Sequence, residues 1–110
     1  MPLPQPLTEA AAELIADRFR LLAEPMRVRL LDRLRAGEAS VHDLAQGLGT
    51  TPQNVSKHLG VLAREGVVTR RKVGNYALYR VVDDGIWQLC HLVCAGVEQR
   101  LDNLRLTLSA

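Results

Sequence analysis

Side chains able to read or hold a polyanion crowd one short stretch of this chain. Between Thr51 and Gly66 stand Gln53, Asn54, Ser56, Lys57 and Arg64. Amides and hydroxyls can exchange hydrogen bonds with base edges, and the cations can meet phosphates. The surrounding letters specify a helix. Thr51 can cap it, Pro52 costs nothing at the first helical position, and Gly66 can take the left-handed conformation that closes it. Val55, Leu59 and Leu62 recur at i, i+4 and i+7, which predicts one buried stripe. Gln53, Lys57, Gly60 and Arg64 fall on the opposite side, flanked by Ser56 and Val61. Further basic or polar residues follow at Arg70, Arg71, Lys72 and Asn75. From Ser56 to Arg80 the chain holds six Lys or Arg against one acid, a net +5; the other residues hold eight bases against eleven acids, a net −3. A local basic surface on a near-neutral chain is the footprint of phosphate contact. The competing reading is a solvated hairpin with scattered charge.

The remaining chemistry-bearing residues are sparse. Cys90 and Cys94 stand four apart. Either they are small packing residues in an apolar band, or they form a soft-metal or redox site, since that spacing puts both sulfurs on one helical side. His91 lies on the polar side with Glu98 and Asp102, a loose set of weak metal-ligand character. His42 suits a surface or capping role. His58 borders the buried stripe and is expected to back the helix or face a phosphate. Asp83 and Asp84 read as a helix cap, since a short chain supplies no ready pocket for catalytic acids. No Gly-rich phosphate loop, paired-carboxylate pattern or nucleophile–base spacing is present, so no enzyme is expected. No cofactor is expected either; the alternative is a metal ion at a non-standard site drawn from Cys90, Cys94 and His91.

These residues need a scaffold, and the rest of the chain reads as one. With 110 residues, 47% hydrophobic and 24% charged, the chain suits one small folded domain. Met1–Pro6 alternates prolines and predicts an extended arm over residues 1–7, with residues 8–110 as a single domain. It has neither a basic patch nor a long apolar core, so no export signal is read there and a reducing cytoplasm is expected. No run is apolar enough to span a membrane.

Thr8 can cap a helix running to about Leu22, with Leu14, Ile15, Phe19 and Leu22 on its apolar side. Glu24-Pro25 restarts the chain into a helix carrying Met26, Leu30, Leu31 and Leu34, which Gly37 ends. Ser40 caps a short helix through Gln46, with Asp43 completing an imperfect capping box. Gly47–Thr50 then turns into the helix described first. Two short helices joined by a tight glycine-containing turn make a helix-turn-helix. After Gly66 the period becomes extended, over Val67–Val73 and Tyr76–Val82, and Gly74-Asn75 suits a type II′ hairpin turn. Neighbouring residues on a strand alternate faces, so Arg70, Arg71 and Lys72 cannot all meet one phosphate chain. The expected fold is mainly helical with a β-hairpin: a winged helix-turn-helix.

The last helix is expected from about Ile86 to Leu106. Trp87 packs at its start, and Ile86, Leu89, Cys90, Val93, Val97, Leu101, Leu104 and Leu108 form a broad apolar band. That is more apolar surface than a small core needs. The band either covers the domain's own core or pairs with a second copy, and the two-fold symmetry of such DNA readers favours a homodimer. Leu14, Phe19, Ile86, Cys90, Val93, Val97, Leu101 and Leu104 are the interface residues this predicts. A reading from another class makes the last helix a protein-interaction surface without DNA function.

Together the residues resemble the ArsR/SmtB family of bacterial winged-helix regulators. The matching stretches are Phe19–Leu31, Val41–Ala45, Pro52–Leu59 with Leu62 and Glu65–Val68, and Gly74 with Tyr79-Arg80. The resemblance covers about residues 14 to 85. It implies a homodimer formed by the first and last helices, bound to a two-fold symmetric double-stranded DNA operator, most often as a repressor released by a signal. Many members carry a thiolate metal site in a Glu-Leu-Cys-Val-Cys-Asp-Leu motif. Here that segment is Glu38–Leu44, with Ser40 and His42 in place of the cysteines. Others carry zinc or nickel between the paired last helices. Counted from Asp84, those ligand positions hold Ile86, Val97 and Arg100. The signal is therefore left open among a non-standard metal site, thiol oxidation, a separate sensor protein and none at all.

Overall fold

The computed structural model describes residues 2–109. Five helices and a three-stranded antiparallel sheet follow in the order α1 (Glu9–Arg20), α2 (Pro25–Leu34), β1 (Ala39–Ser40), α3 (Val41–Leu48), α4 (Pro52–Arg64), β2 (Val68–Val73), β3 (Tyr76–Val81) and α5 (Asp84–Ser109).

The caps read from sequence close the helices. Thr8, Ser40 and Thr51 each accept a hydrogen bond from the backbone N–H three residues on, at 3.1 Å. Each satisfies one donor that a helix start leaves unpaired. α1 stops at Arg20, short of the expected Leu22. Proline pushes the residue before it out of helical geometry; Glu24 is extended, and its carboxylate caps α2 through Met26 N–H at 3.0 Å. Gly49 and Gly66 have φ of 67° and 74°, conformations that favour glycine at a helix end. At the hairpin Gly74 has φ 58° and Asn75 stays negative, which matches a type II′ turn.

One element escaped the sequence reading. Ala39 and Ser40 form β1, which pairs with Tyr79 and Leu78 of β3, giving the sheet order β1-β3-β2. Two residues hold no periodicity to detect, and only the neighbouring strand defines them.

The core lies where α2, α3 and α4 meet the sheet. Leu30, Leu31, Leu44, Val55, Leu59, Leu62, Val67 and Ile86 are fully buried there. The stripe Val55, Leu59, Leu62 is therefore the inner face of α4. Trp87 packs beside them and donates its indole N–H to Leu31 O at 3.1 Å, the polar contact a half-buried tryptophan needs.

α1 and α5 are attached differently. α1 buries only Ala11, and α5 buries only Ile86 of its 26 residues. Leu14 and Phe19 on α1, and Leu92, Val93, Val97, Leu101, Leu104, Leu106 and Leu108 on α5, stay exposed. No helix among the described residues is long and apolar enough to cross a membrane.

Candidate nucleic-acid interface

With its apolar stripe turned inward, α4 presents Gln53, Ser56, Lys57 and Arg64 outward, all exposed. Thr51 is exposed beside them, its hydroxyl oxygen occupied by the capping bond from Asn54 N–H. Asn54 itself is half-buried and donates its side-chain amide to Thr50 Oγ1 at 3.1 Å. It braces the turn as well as bordering the outer face. Gly60 sits midway along that face. A methyl group there would meet nothing closer than Arg64 Nη1 at 3.9 Å, so packing inside the protomer does not demand the glycine. The turn before α4 is held from behind by Arg29, which donates to Leu48 O at 3.0 Å.

The hairpin divides its cations as strand geometry requires. Arg70 and Lys72 share the face of Val68, with Tyr79 and Ala77 as their cross-strand neighbours. Arg71 lies on the other face and does not join them. Its guanidinium pairs with Glu38 at 2.5 Å. Hydrogen bonding to Arg71 holds the Glu38 carboxyl below the usual range, and the same bond pushes Arg71 up. The sequence places Arg71 among the DNA-contacting residues; in the fold it is engaged by Glu38 while its side chain stays exposed. The short strand β1 brings Glu38 alongside the sheet, and no local signal marks a partner 33 residues away. Asn75 is exposed at the hairpin tip.

One further expectation is corrected. Ile86 was expected on a partner-facing band, yet it is 2% exposed. α5 begins at Asp84, so its first turn docks on the protomer's own core. Of the two roles the sequence offers His58, backing the helix or facing a phosphate, the fold has the first. Its ring is buried, and Nδ1 lies 3.4 Å from Arg27 Nη1. Burial, reinforced by Lys57 and Arg27 and opposed by Glu24, holds His58 below its ordinary pKa.

The other candidate ligands stay apart. His42 and His91 are exposed, and among the described residues no group of three or more His, Cys, Asp or Glu comes together. Cys94 is exposed with its thiol 3.7 Å from Glu98 Oε1, and Cys90 is half-buried, with burial raising its thiol pKa. Both line a hollow of about 300 Å³ with Leu22, Val28, Val93 and Val97. The positions that hold metals in similar regulators do not fit a cation here. Ile86 is core, Val97 is hydrocarbon and Arg100 is itself cationic.

A helix with a polar, basic outer face on a helix-turn-helix, flanked by a basic hairpin, defines the class of winged helix-turn-helix DNA-binding domains. Comparison with known proteins agrees. Residues 22–71 match a family described as a helix-turn-helix domain. The chain is 36% identical over 96 residues to the HTH-type transcriptional repressor SmtB of Mycobacterium tuberculosis (strain ATCC 25618 / H37Rv), covering 87% of this chain and 66% of that protein's length. The crystal structure of the AntR antimony-specific transcriptional repressor superposes with a TM-score of 0.79 at 33% identity, covering 90% of each chain. A homodimeric winged helix-turn-helix DNA-binding domain from Mycobacterium bovis, described as a possible ArsR-family regulator, gives 0.73 at 26% identity, covering 91% of this chain and 95% of that one. The chain spans just under two thirds of the length of that SmtB repressor; with relatives such as the SmtB homolog of Synechocystis, 31% identical and covered over 73% of its length, it belongs to the ArsR/SmtB family of winged-helix transcriptional regulators.

Proposed function

We propose that this chain is a homodimeric repressor that holds a two-fold symmetric DNA operator. The observation that carries the reading is the pairing of two surfaces. One is the outer face of α4, with Gln53, Ser56 and Lys57 exposed; the other is the uncovered apolar band of α5 and α1. α4 enters the major groove and reads base edges with Gln53 and Ser56, while Lys57 meets the groove or its phosphates. Thr51, Arg64, Arg70, Lys72 and Asn75 hold the flanking backbone or minor groove. Leu14, Phe19, Cys90, Val93, Val97, Leu101 and Leu104 meet the second copy, which places two α4 helices on one face of the duplex. The homodimeric M. bovis domain supports the same assembly.

Sequences selected from a random pool by the protein should be inverted repeats. On such a site Lys57→Ala should lower the slope of log affinity against log salt by about 0.9 per protomer. Gln53→Ala should cost about 1–3 kcal/mol at one base step per half-site and little on unrelated DNA. Equal loss on every sequence would remove base reading by Gln53, and an unchanged slope would remove the Lys57 phosphate contact.

A second reading concerns release. Cys90 and Cys94 open on the same apolar hollow between α2 and α5, which puts both sulfurs within reach of a soft metal or an oxidant at the dimer face, beside the reading in which a separate sensor protein carries the signal. Operator affinity titrated with zinc, nickel, cobalt and peroxide, in wild type and in Cys90→Ala/Cys94→Ala, decides it. Unchanged affinity throughout removes direct sensing.

A further inference from the structure

With little buried surface of their own, α1 and α5 are tied to the rest of the protomer by arginines. Arg18, in the last turn of α1, donates from Nη1 to the carbonyl of Glu65 at 3.3 Å. Glu65 is the C-cap of α4. Through Nη2 the same guanidinium pairs with Asp83, just ahead of α5. One side chain thus joins α1, the end of the recognition helix and the start of α5.

Arg27, in the first turn of α2, makes a second joint. Its Nε donates to Leu21 O at 2.7 Å and its Nη2 to Arg20 O at 3.0 Å, the carbonyls that close α1. Its Nη1 lies 3.4 Å from Nδ1 of His58, midway along α4. A guanidinium has five donors fixed in one plane, so acceptors held by it keep their mutual directions as well as their distances. The two joints grip α4 at its middle and at its C-terminal end. The buried stripe Val55, Leu59 and Leu62 holds α4 to the core; two joints along it fix the direction of α1 against it, where one would leave α1 free to pivot.

We propose that Arg18 and Arg27 are positioning residues for DNA binding: they hold the recognition helix at a set angle to α1, and so set the spacing of the two recognition helices across the dimer. This rests on the dimeric reading above. In a two-fold assembly any pivot of α4 against α1 moves the two reading heads by equal amounts in directions related by the two-fold axis. The half-sites they must meet lie about 34 Å apart, one helical turn. A pivot that shifts each head by a fraction of a base-pair step therefore spoils the fit to a full operator while leaving the fit to one half-site intact.

The test uses an operator selected with the wild-type full chain, its versions with one base pair added or removed between half-sites, and an isolated half-site. Binding is read by fluorescence anisotropy. Wild type should lose about tenfold or more in affinity when the spacing changes. Arg18→Gln and Arg27→Gln should keep half-site affinity within about twofold, while their spacing preference falls to about twofold. His58 gives an independent pair of variants. His58→Gln, which still offers an acceptor to Arg27, should keep the wild-type spacing profile, and His58→Leu should flatten it. If the arginine variants do not fold, the His58 pair carries the test alone. A wild-type spacing profile in His58→Leu, or in the folded arginine variants, overturns the proposal. Absence of any spacing preference in the wild type overturns the dimeric reading instead.

Discussion

Leu101→Ala tests the assembly where the arithmetic is simplest. Leu101 keeps 50% of its surface exposed in the protomer. Fully burying a leucine is worth about 1.5–3 kcal/mol, so roughly half of that, about 1 kcal/mol, is left for a partner to cover. A two-fold interface uses the residue twice, giving about 2 kcal/mol for the pair. At about 1.4 kcal/mol per decade, the dimer dissociation constant should rise about 30-fold. Alanine is the best helix former, so α5 itself should not unravel, and emission from Trp87, packed at the other end of the helix, should not change. Sedimentation equilibrium over a concentration series reads the constant directly. Gln99→Ala is the control: its side chain is exposed, bonds Asn103 of the same helix at 3.2 Å and lies off the apolar band. A shift below about threefold for Leu101→Ala, or an equal shift in the control, would refute the interface reasoning, since the calculation leaves no room for either.

Three other outcomes are expected. Leu59→Ala removes a fully buried side chain from the inner face of α4 and should cost about 2–5 kcal/mol in urea unfolding; a cost well under that range would mean the helix is not anchored by its stripe. Because burial lowers the His58 pKa, the unfolded chain binds the proton first as pH falls below about 6.5. Stability should therefore drop through that window and level off below the folded pKa, and His58→Gln should remove the drop; an unchanged pH slope in the variant would assign it to another group. Lys72→Ala should weaken operator binding more than Arg71→Ala, because Arg71 is already paired with Glu38; the reverse order in a salt titration would show that Arg71 leaves Glu38 for phosphate.

How much of this could be read from the chain alone depends on the range over which each feature is set. The bounds of α4 were legible because Thr51, Pro52 and Gly66 act within one turn of each end, and its inner face because Val55, Leu59 and Leu62 repeat at the helical period. The hairpin was legible from its alternation and from Gly74, whose φ of 58° the turn requires. The apolar band of α5 was visible in the same way. What covers a band is not written in its period, which is why the sequence puts Ile86 among the interface residues although the first turn of α5 carries it into the core.

Local order thus determined the helices, the wing and the outward polar face of α4, since hydrogen bonds and side-chain periods of near neighbours are enough to specify them. Tertiary packing alone decided who meets whom over long separations. Glu38 meets Arg71 across 33 residues, Arg27 meets His58 across 31, and Arg18 meets Asp83 across 65. Such pairs have no local pattern, because the distance between two side chains is fixed by the elements that carry them. The recognition helix was therefore evident from its own residues, while the joints that aim it became visible only with the chain folded around it.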